Sequence, residues 1–162
     1  MATTFLSLGS NIGNKRKNII TASTLLAERA GDILALSALY ETEPWGFKSD
    51  NTFLNAVLML ETSLSPEDLL ALTIQIEKEV GRTTKTNGQY QDRIIDIDIL
   101  TYDNLIMKTP QLTLPHPHMH ERDFVLEPLT EIAPGLIHPV LKKSISQLLQ
   151  GIERIHNHSS NH

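Results

Sequence analysis

The chain contains no cysteine, which removes disulfides, thiolate zinc sites and cysteine nucleophiles together. It has no run approaching the ~20 apolar residues that cross a bilayer as a helix. Its first residues, Met1 to Leu8, lack the basic start and long apolar stretch of a secretory signal, so a cytoplasmic protein is expected. A global basic field is missing too: 14 Lys and Arg stand against 19 Asp and Glu, a net charge of −5. Such a balance argues against nucleic acid or anionic lipid as partner, and any anionic ligand must be gripped by locally placed cations. Aromatics make up only 5% of residues, with one tryptophan.

What is present is the composition of an ordinary globular protein, 40% apolar and 20% charged over 162 residues. That length suits one domain, here assigned to residues 1–155, with 156–162 as a disordered polar tail whose histidines carry no function. Periodicity predicts a strand over 3–8, a Gly9–Asn14 turn and a helix to about Ala30 that ends at Gly31. Strands are expected over 33–40 and 53–60, separated by a Pro44- and Gly46-containing loop from Glu41 to Asn51. Ser65-Pro66-Glu67-Asp68 opens a second helix with a side-chain cap, a proline at the first position and acids at the positive end of the dipole. After a polar loop over 82–92 come the strand around Asp96, a turn at Asp103-Asn104, a short return strand near Leu105–Met107, and helices over 123–132 and 144–155. The order strand, helix, strand, strand, helix, strand predicts an α+β, ferredoxin-like (split βαβ) sandwich: an antiparallel sheet flanked by helices, with C-terminal additions.

The most informative segment is Arg93-Ile-Ile-Asp-Ile-Asp-Ile-Leu100. Ile95, Ile97 and Ile99 alternate with Asp96 and Asp98, the period of a strand with one buried face, so both carboxylates project from the other face roughly 6.6–7 Å apart. Two neighbouring anions repel unless something positive lies between or above them, and oxygen ligands so spaced suit Mg²⁺ carrying phosphate oxygens. A half-exposed strand that merely keeps polar residues on its wet side would read the same way. Just upstream, Arg82, Lys85 and Arg93 fall within twelve residues; they form either a solvated loop or a set of phosphate-gripping cations.

Three further clusters carry chemistry. Gly9 to Gly13 follows a strand and opens a helix but matches neither phosphate-binding glycine motif, so helix capping is the simpler account. Pro115-His-Pro-His-Met-His120 spaces three histidines at alternate positions, which admits zinc, although His116 and Arg122 donating to phosphate is chemically cheaper. Trp45 lies in the Pro/Gly loop, where it either anchors a satellite core or joins Phe53, Phe124 and the Asn55 amide in a slot for a flat heteroaromatic ring.

Together these pieces resemble the 6-hydroxymethyl-7,8-dihydropterin pyrophosphokinases of folate biosynthesis. The resemblance rests on Ser7-Leu-Gly-Ser-Asn11, Tyr40-Glu-Thr-Glu-Pro-Trp-Gly46, Phe53-Leu-Asn55, Glu77 with Gly81-Arg82, Arg93-x-x-Asp96-Ile97-Asp98-Ile99-Leu100, and Leu114-Pro-His-Pro117 leading to Arg122-x-Phe124. They keep the family's order and nearly its spacing from residue 5 to about 139. The resemblance implies pyrophosphate transfer from ATP to the pterin hydroxymethyl oxygen with release of AMP, by a monomer. It implies Asp96 and Asp98 as ligands of two Mg²⁺ ions, and Arg82 and Arg93 as stabilisers of the transferring group. Glu77, Lys85, Ile99, His116 and Arg122 would join those arginines around the nucleotide. Thr42, Pro44, Trp45, Phe53, Asn55, Tyr90 and Phe124 would line the pterin slot. Two departures stand out: Tyr90 replaces a tryptophan common in the family, in a loop one residue longer, and Ile74 stands where a nucleotide-contacting glutamine is usual, with Gln75 one position on, ~100° around the helix. A metal-dependent phosphatase or nuclease using the same carboxylates would need no aromatic slot. A ferredoxin-like sensor or RNA-binding module gives no reason for two aspartates facing three cations.

Overall fold

The computed structural model describes residues 1–43, 52–81 and 94–160, with side chains to residue 153. Four long strands form one antiparallel sheet in the order β2-β4-β1-β5: β1 (Ala2–Ser10), β2 (Gly31–Leu36), β4 (Phe53–Thr62) and β5 (Asp96–Tyr102), with a three-residue β3 (Tyr40–Thr42) also pairing with β4. Helices α1 (Lys15–Arg29) and α2 (Pro66–Gly81) complete the split βαβ order expected from the sequence.

The two central strands are covered on both faces. On one, Leu6, Leu8, Ala56, Leu58, Leu60, Ile97 and Ile99 pack with Ile19, Leu26, Leu69 and Ile76 of α1 and α2. On the other, Phe5, Val57 and Leu100 pack with Val125, Leu126 and Leu129 of α3 (Asp123–Ile132) and Ile145 of α4 (Ile145–Ser160). Each fully buried Leu or Ile contributes about 1.5–3 kcal/mol relative to an exposed one, so the alternating strand pattern is enforced from both layers. The face that bears Asp96 and Asp98 is therefore not simply a wet side; it is roofed further along by the second core.

The helix boundaries follow their caps. Asn14 accepts from the Lys17 N–H, the Ser65 hydroxyl accepts from Asp68 N–H, and Ser144 and Gln147 exchange reciprocal bonds as a capping pair at the start of α4. α4 runs to Ser160, past the end near Ile155 that its apolar stripe suggested. No glycine or proline intervenes to stop it, so the backbone of 156–160 is helical rather than an irregular tail.

Two strand expectations change. The stretch 33–40 breaks at Ser37, whose N–H still donates to the Val57 carbonyl (2.9 Å) while its hydroxyl, in place of its carbonyl, accepts from Val57 N–H (2.9 Å) and donates to the Ala38 carbonyl (2.8 Å). The chain resumes as β3, taking Glu41 and Thr42 out of the expected loop. The return strand near Leu105–Met107 is instead β6 (Met107–Lys108), and it pairs with β7 (Thr113–Leu114) rather than with β5.

At the α1–β2 corner Gly31 has φ +155°, and a Cβ there would sit 2.0 Å from the Glu61 carbonyl oxygen. Gly31→Ala should cost about 2–4 kcal/mol, because backbone rather than a yielding side chain blocks the methyl group. Gly135→Ala, with nothing within 4 Å, should be near neutral. Denaturant melts of the two variants check this; equal stabilities would refute the close-approach argument.

Candidate active site

The sheet register brings the expected residues into rows. Asp96 pairs with Gly9, Gly9 with Asn55 and Asn55 with Tyr40; one step on, Asp98 pairs with Ser7 and Ser7 with Val57. Directly paired residues share a face, so Asp96, Gly9, Asn55 and Tyr40 lie in one line across the sheet. Strands are roughly 4.8 Å apart, which puts Asn55 about 10 Å from Asp96.

The middle of that row is bare because Gly9 has no side chain. A Cβ there would come within 3.0 Å of Asn55 Oδ1 and 3.5 Å of the Phe53 ring. The Asn55 amide is turned by its other end, which donates to Thr42 Oγ1 at 2.6 Å. Thr42, Phe53 and Asn55 thus form a shelf with an amide and a hydroxyl beside an aromatic ring. Gly9 as its floor could have been read from the sequence only by pairing the first strand against Asn55; by itself it resembled a turn residue. Phe124, at the start of α3, stacks under Arg122, whose guanidinium carbon is 5.7 Å from the ring centroid.

Asp96 and Asp98 are half-buried, and the Asp98 side chain keeps 32% exposure, so they are neither sealed in the apolar interior nor fully hydrated. Glu77 on α2 joins them. Its carboxyl accepts from the Ile97 N–H at 2.8 Å, which ties α2 to the start of β5. Burial, helped by the charges and a hydrogen bond of the neighbouring aspartates, pushes its pKa up to about 8. The carboxyl therefore favours its protonated form at neutral pH, chiefly because it is buried and secondarily because the aspartates lie close. The Ile99 side chain does not face this group; it alternates into the core beneath α1 and α2 at 4% exposure.

His116 is held by its backbone N–H donating to the Leu100 carbonyl (2.8 Å), which sets the imidazole beside β5 with Nε2 3.9 Å from Asp98 Oδ2. The Nδ1 atom accepts from the His118 N–H at 3.1 Å, so the proton of the neutral ring is on Nε2, facing Asp98. Burial first, then the Arg122 and His118 charges, lower its pKa to about 4. His116 is therefore a neutral donor, not the charged one the sequence suggested. The alternate histidines do not assemble a metal site: His118 and His120 turn to Glu121, and among the described residues no three His, Asp or Glu side chains are arranged to hold an ion. Two carboxylates without a third protein ligand still fit Mg²⁺, which is commonly held by one or two carboxylates plus substrate phosphates. Pro44, Trp45, Arg82, Lys85, Tyr90 and Arg93 lie outside the described residues.

Comparison with known proteins gives the family and the fold. Residues 5–134 match the family model described as 7,8-dihydro-6-hydroxymethylpterin-pyrophosphokinase. The chain is 51% identical over 141 residues to the 2-amino-4-hydroxy-6-hydroxymethyldihydropteridine pyrophosphokinase of Porphyromonas gingivalis, covering 86% of this chain and 95% of that one. To the protein of the same name from Aquifex aeolicus it is 43% identical over 147 residues, covering 91% and 90%. Its fold is similar to that of the wild-type Plasmodium falciparum HPPK-DHPS crystallised with pteroate, with a TM-score of 0.81, 17% identity and 99% of this chain covered. The chain spans 46% of that solved protein's length.

The His116 geometry makes a prediction independent of catalysis. A long-range ¹H–¹⁵N spectrum at pH 7 should show the neutral Nε2–H tautomer, unchanged down to roughly one unit above its lowered pKa. An imidazolium signal at pH 6.5 would contradict it.

Proposed function

The chain belongs to the 7,8-dihydro-6-hydroxymethylpterin-pyrophosphokinase family, and on that premise we propose how its residues share the reaction. The enzyme transfers pyrophosphate from ATP to the hydroxymethyl group of 6-hydroxymethyl-7,8-dihydropterin in folate biosynthesis, releasing AMP. In atoms, the hydroxymethyl oxygen bonds to the β-phosphorus, the bond from that phosphorus to the α–β bridging oxygen breaks, and the hydroxyl proton is given up.

Asp96 and Asp98 would hold two Mg²⁺ ions, which supply neutralisation of the phosphate oxygens as charge moves onto the AMP leaving group. The observation that carries this reading is the pair of half-buried carboxylates on one strand face, with Glu77 close beside them. Glu77 positions these acids: its bond to Ile97 N–H fixes the end of β5 on which they stand. His116 offers a neutral Nε2–H, and Arg122 a guanidinium, to phosphate oxygens arriving beside Asp98. Arg82, Lys85 and Arg93 would complete the cationic side of the nucleotide site.

Thr42, Phe53, Asn55 and Phe124 would hold the pterin, with Pro44, Trp45 and Tyr90 closing the slot. The bare Gly9 position leaves room for a flat bicycle, and the roughly 10 Å from Asn55 to Asp96 suits a ring at one end and phosphates at the other. No covalent nucleophile is needed, since positioning and charge neutralisation carry phosphoryl-type transfer. Dependence on ATP argues for work in the cytoplasm, and the monomeric state expected from the sequence is retained as part of this reading. Among the described residues no helix is long and apolar enough to cross a membrane.

Chromatography of the enzyme with Mg-ATP and the hydroxymethyl pterin should show AMP and the pterin diphosphate; ADP would overturn the assigned reaction. Asp98→Ala should lower turnover at least ~1,000-fold while leaving pterin affinity within about twofold. Wild-type turnover in the folded variant would remove the metal assignment.

A further inference from the structure

Glu131 stands in the last turn of α3, where the helix's negative end disfavours a carboxylate by a few tenths of a kcal/mol or more. Its surroundings explain the choice. Both carboxylate oxygens accept from the Ala38 N–H at 3.1 Å, and Oε1 accepts from the Tyr40 hydroxyl at 2.6 Å. These bonds join elements more than 90 residues apart, and they fasten the segment where the chain leaves β2 and becomes β3. The grip is strong enough to push the Tyr40 phenol up to about 12.

β3 needs such a tether. It is three residues long, and among the described residues its sheet partner is β4 alone. Tyr40 lies directly opposite Asn55, Thr42 opposite Phe53, and the Asn55 amide is oriented by Thr42. Seven residues separate Phe124 from Glu131, within ~20° of two full helical turns, so both leave α3 on the same side. One end of that side reaches the ring stacked under Arg122; the other holds β3.

We propose that Glu131 is a positioning residue for the pterin slot, fixing the separation between the shelf of Thr42, Phe53 and Asn55 and the opposing Phe124 by tying Tyr40 and Ala38 to α3. This rests on reading those four residues as the walls of the slot. Glu131 touches no reacting atom; it acts through Tyr40 and through the rigid body of α3.

The test compares Glu131→Ala, Tyr40→Phe and Phe124→Ala in steady-state kinetics with both substrates varied, alongside thermal melts. Glu131→Ala should raise KM for the pterin about fivefold and Tyr40→Phe about threefold, with KM for ATP within about twofold of wild type. The double variant should add little to Glu131→Ala, since both remove one tether. A purely structural role would lower the melting temperature, or both KM values alike, without this split, and would overturn the proposal. Tyr40→Phe removes a single hydroxyl, so the split is measurable even where Glu131→Ala folds poorly. If Phe124→Ala raises the pterin KM while the Glu131 and Tyr40 variants do not, the positioning role falls and the slot stands. If Phe124→Ala leaves it unchanged, the slot reading falls and takes this inference with it.

Discussion

Like charges held close in a half-dry place set the terms for everything around them. Asp96 and Asp98 share one face of β5, and the strand's pleat leaves them no rotation by which to escape each other. Glu77 lies against them from α2, and burial first, then the two aspartates, raises its pKa to about 8. Such an arrangement is costly, since each carboxylate gives up part of its hydration beside another carboxylate. In the proposed reading, cations arriving with a polyphosphate would relieve that cost and so favour a metal-bound nucleotide.

The sheet then converts this electrostatic constraint into geometry. Because β1 pairs with β5 on one side and β4 on the other, the carboxylates are locked in register with Asn55, two strands away. The only position between them on that row is Gly9, where the missing side chain leaves the surface flat. The two ends of the row are thereby fixed relative to each other by backbone hydrogen bonds, the kind of orientation that group transfer demands. Around this frame, the β7-to-α3 connection carries His116 and Arg122, and Phe124 follows in the first turn of α3, so one short stretch of chain holds candidate groups for both ends.

Much of this was readable in the amino acids, and the reasons are physical. The alternation at 95–99 can be satisfied only by a strand, and Ser65-Pro66 only by a helix start, so β5 and α2 were legible locally. The resemblance in ordered motifs supplied the roles that no single motif could. What stayed hidden depends on contacts distant in sequence. Ser37 interrupts a strand because Val57 offers it a partner, and Tyr40–Thr42 becomes a strand because Phe53–Asn55 lies beside it. The neutrality of His116 comes from burial and from the His118 N–H, neither visible in Pro-His-Pro-His. The same alternation that half-exposes Asp98 buries the Ile99 side chain. Glu131 carried no signal at all, since its value lies in donors 91 and 93 residues away.

The claim that the β5 carboxylates seat the cations of a metal–nucleotide complex is tested most directly by calorimetric titration of ATP, with and without Mg²⁺, into wild type and an Asp96→Asn/Asp98→Asn variant. The account predicts that Mg²⁺ strengthens nucleotide binding to the wild type by at least about tenfold and has little effect on the variant, whose metal-free affinity is no weaker than wild type. Magnesium-dependent binding retained at wild-type strength by the variant would contradict it.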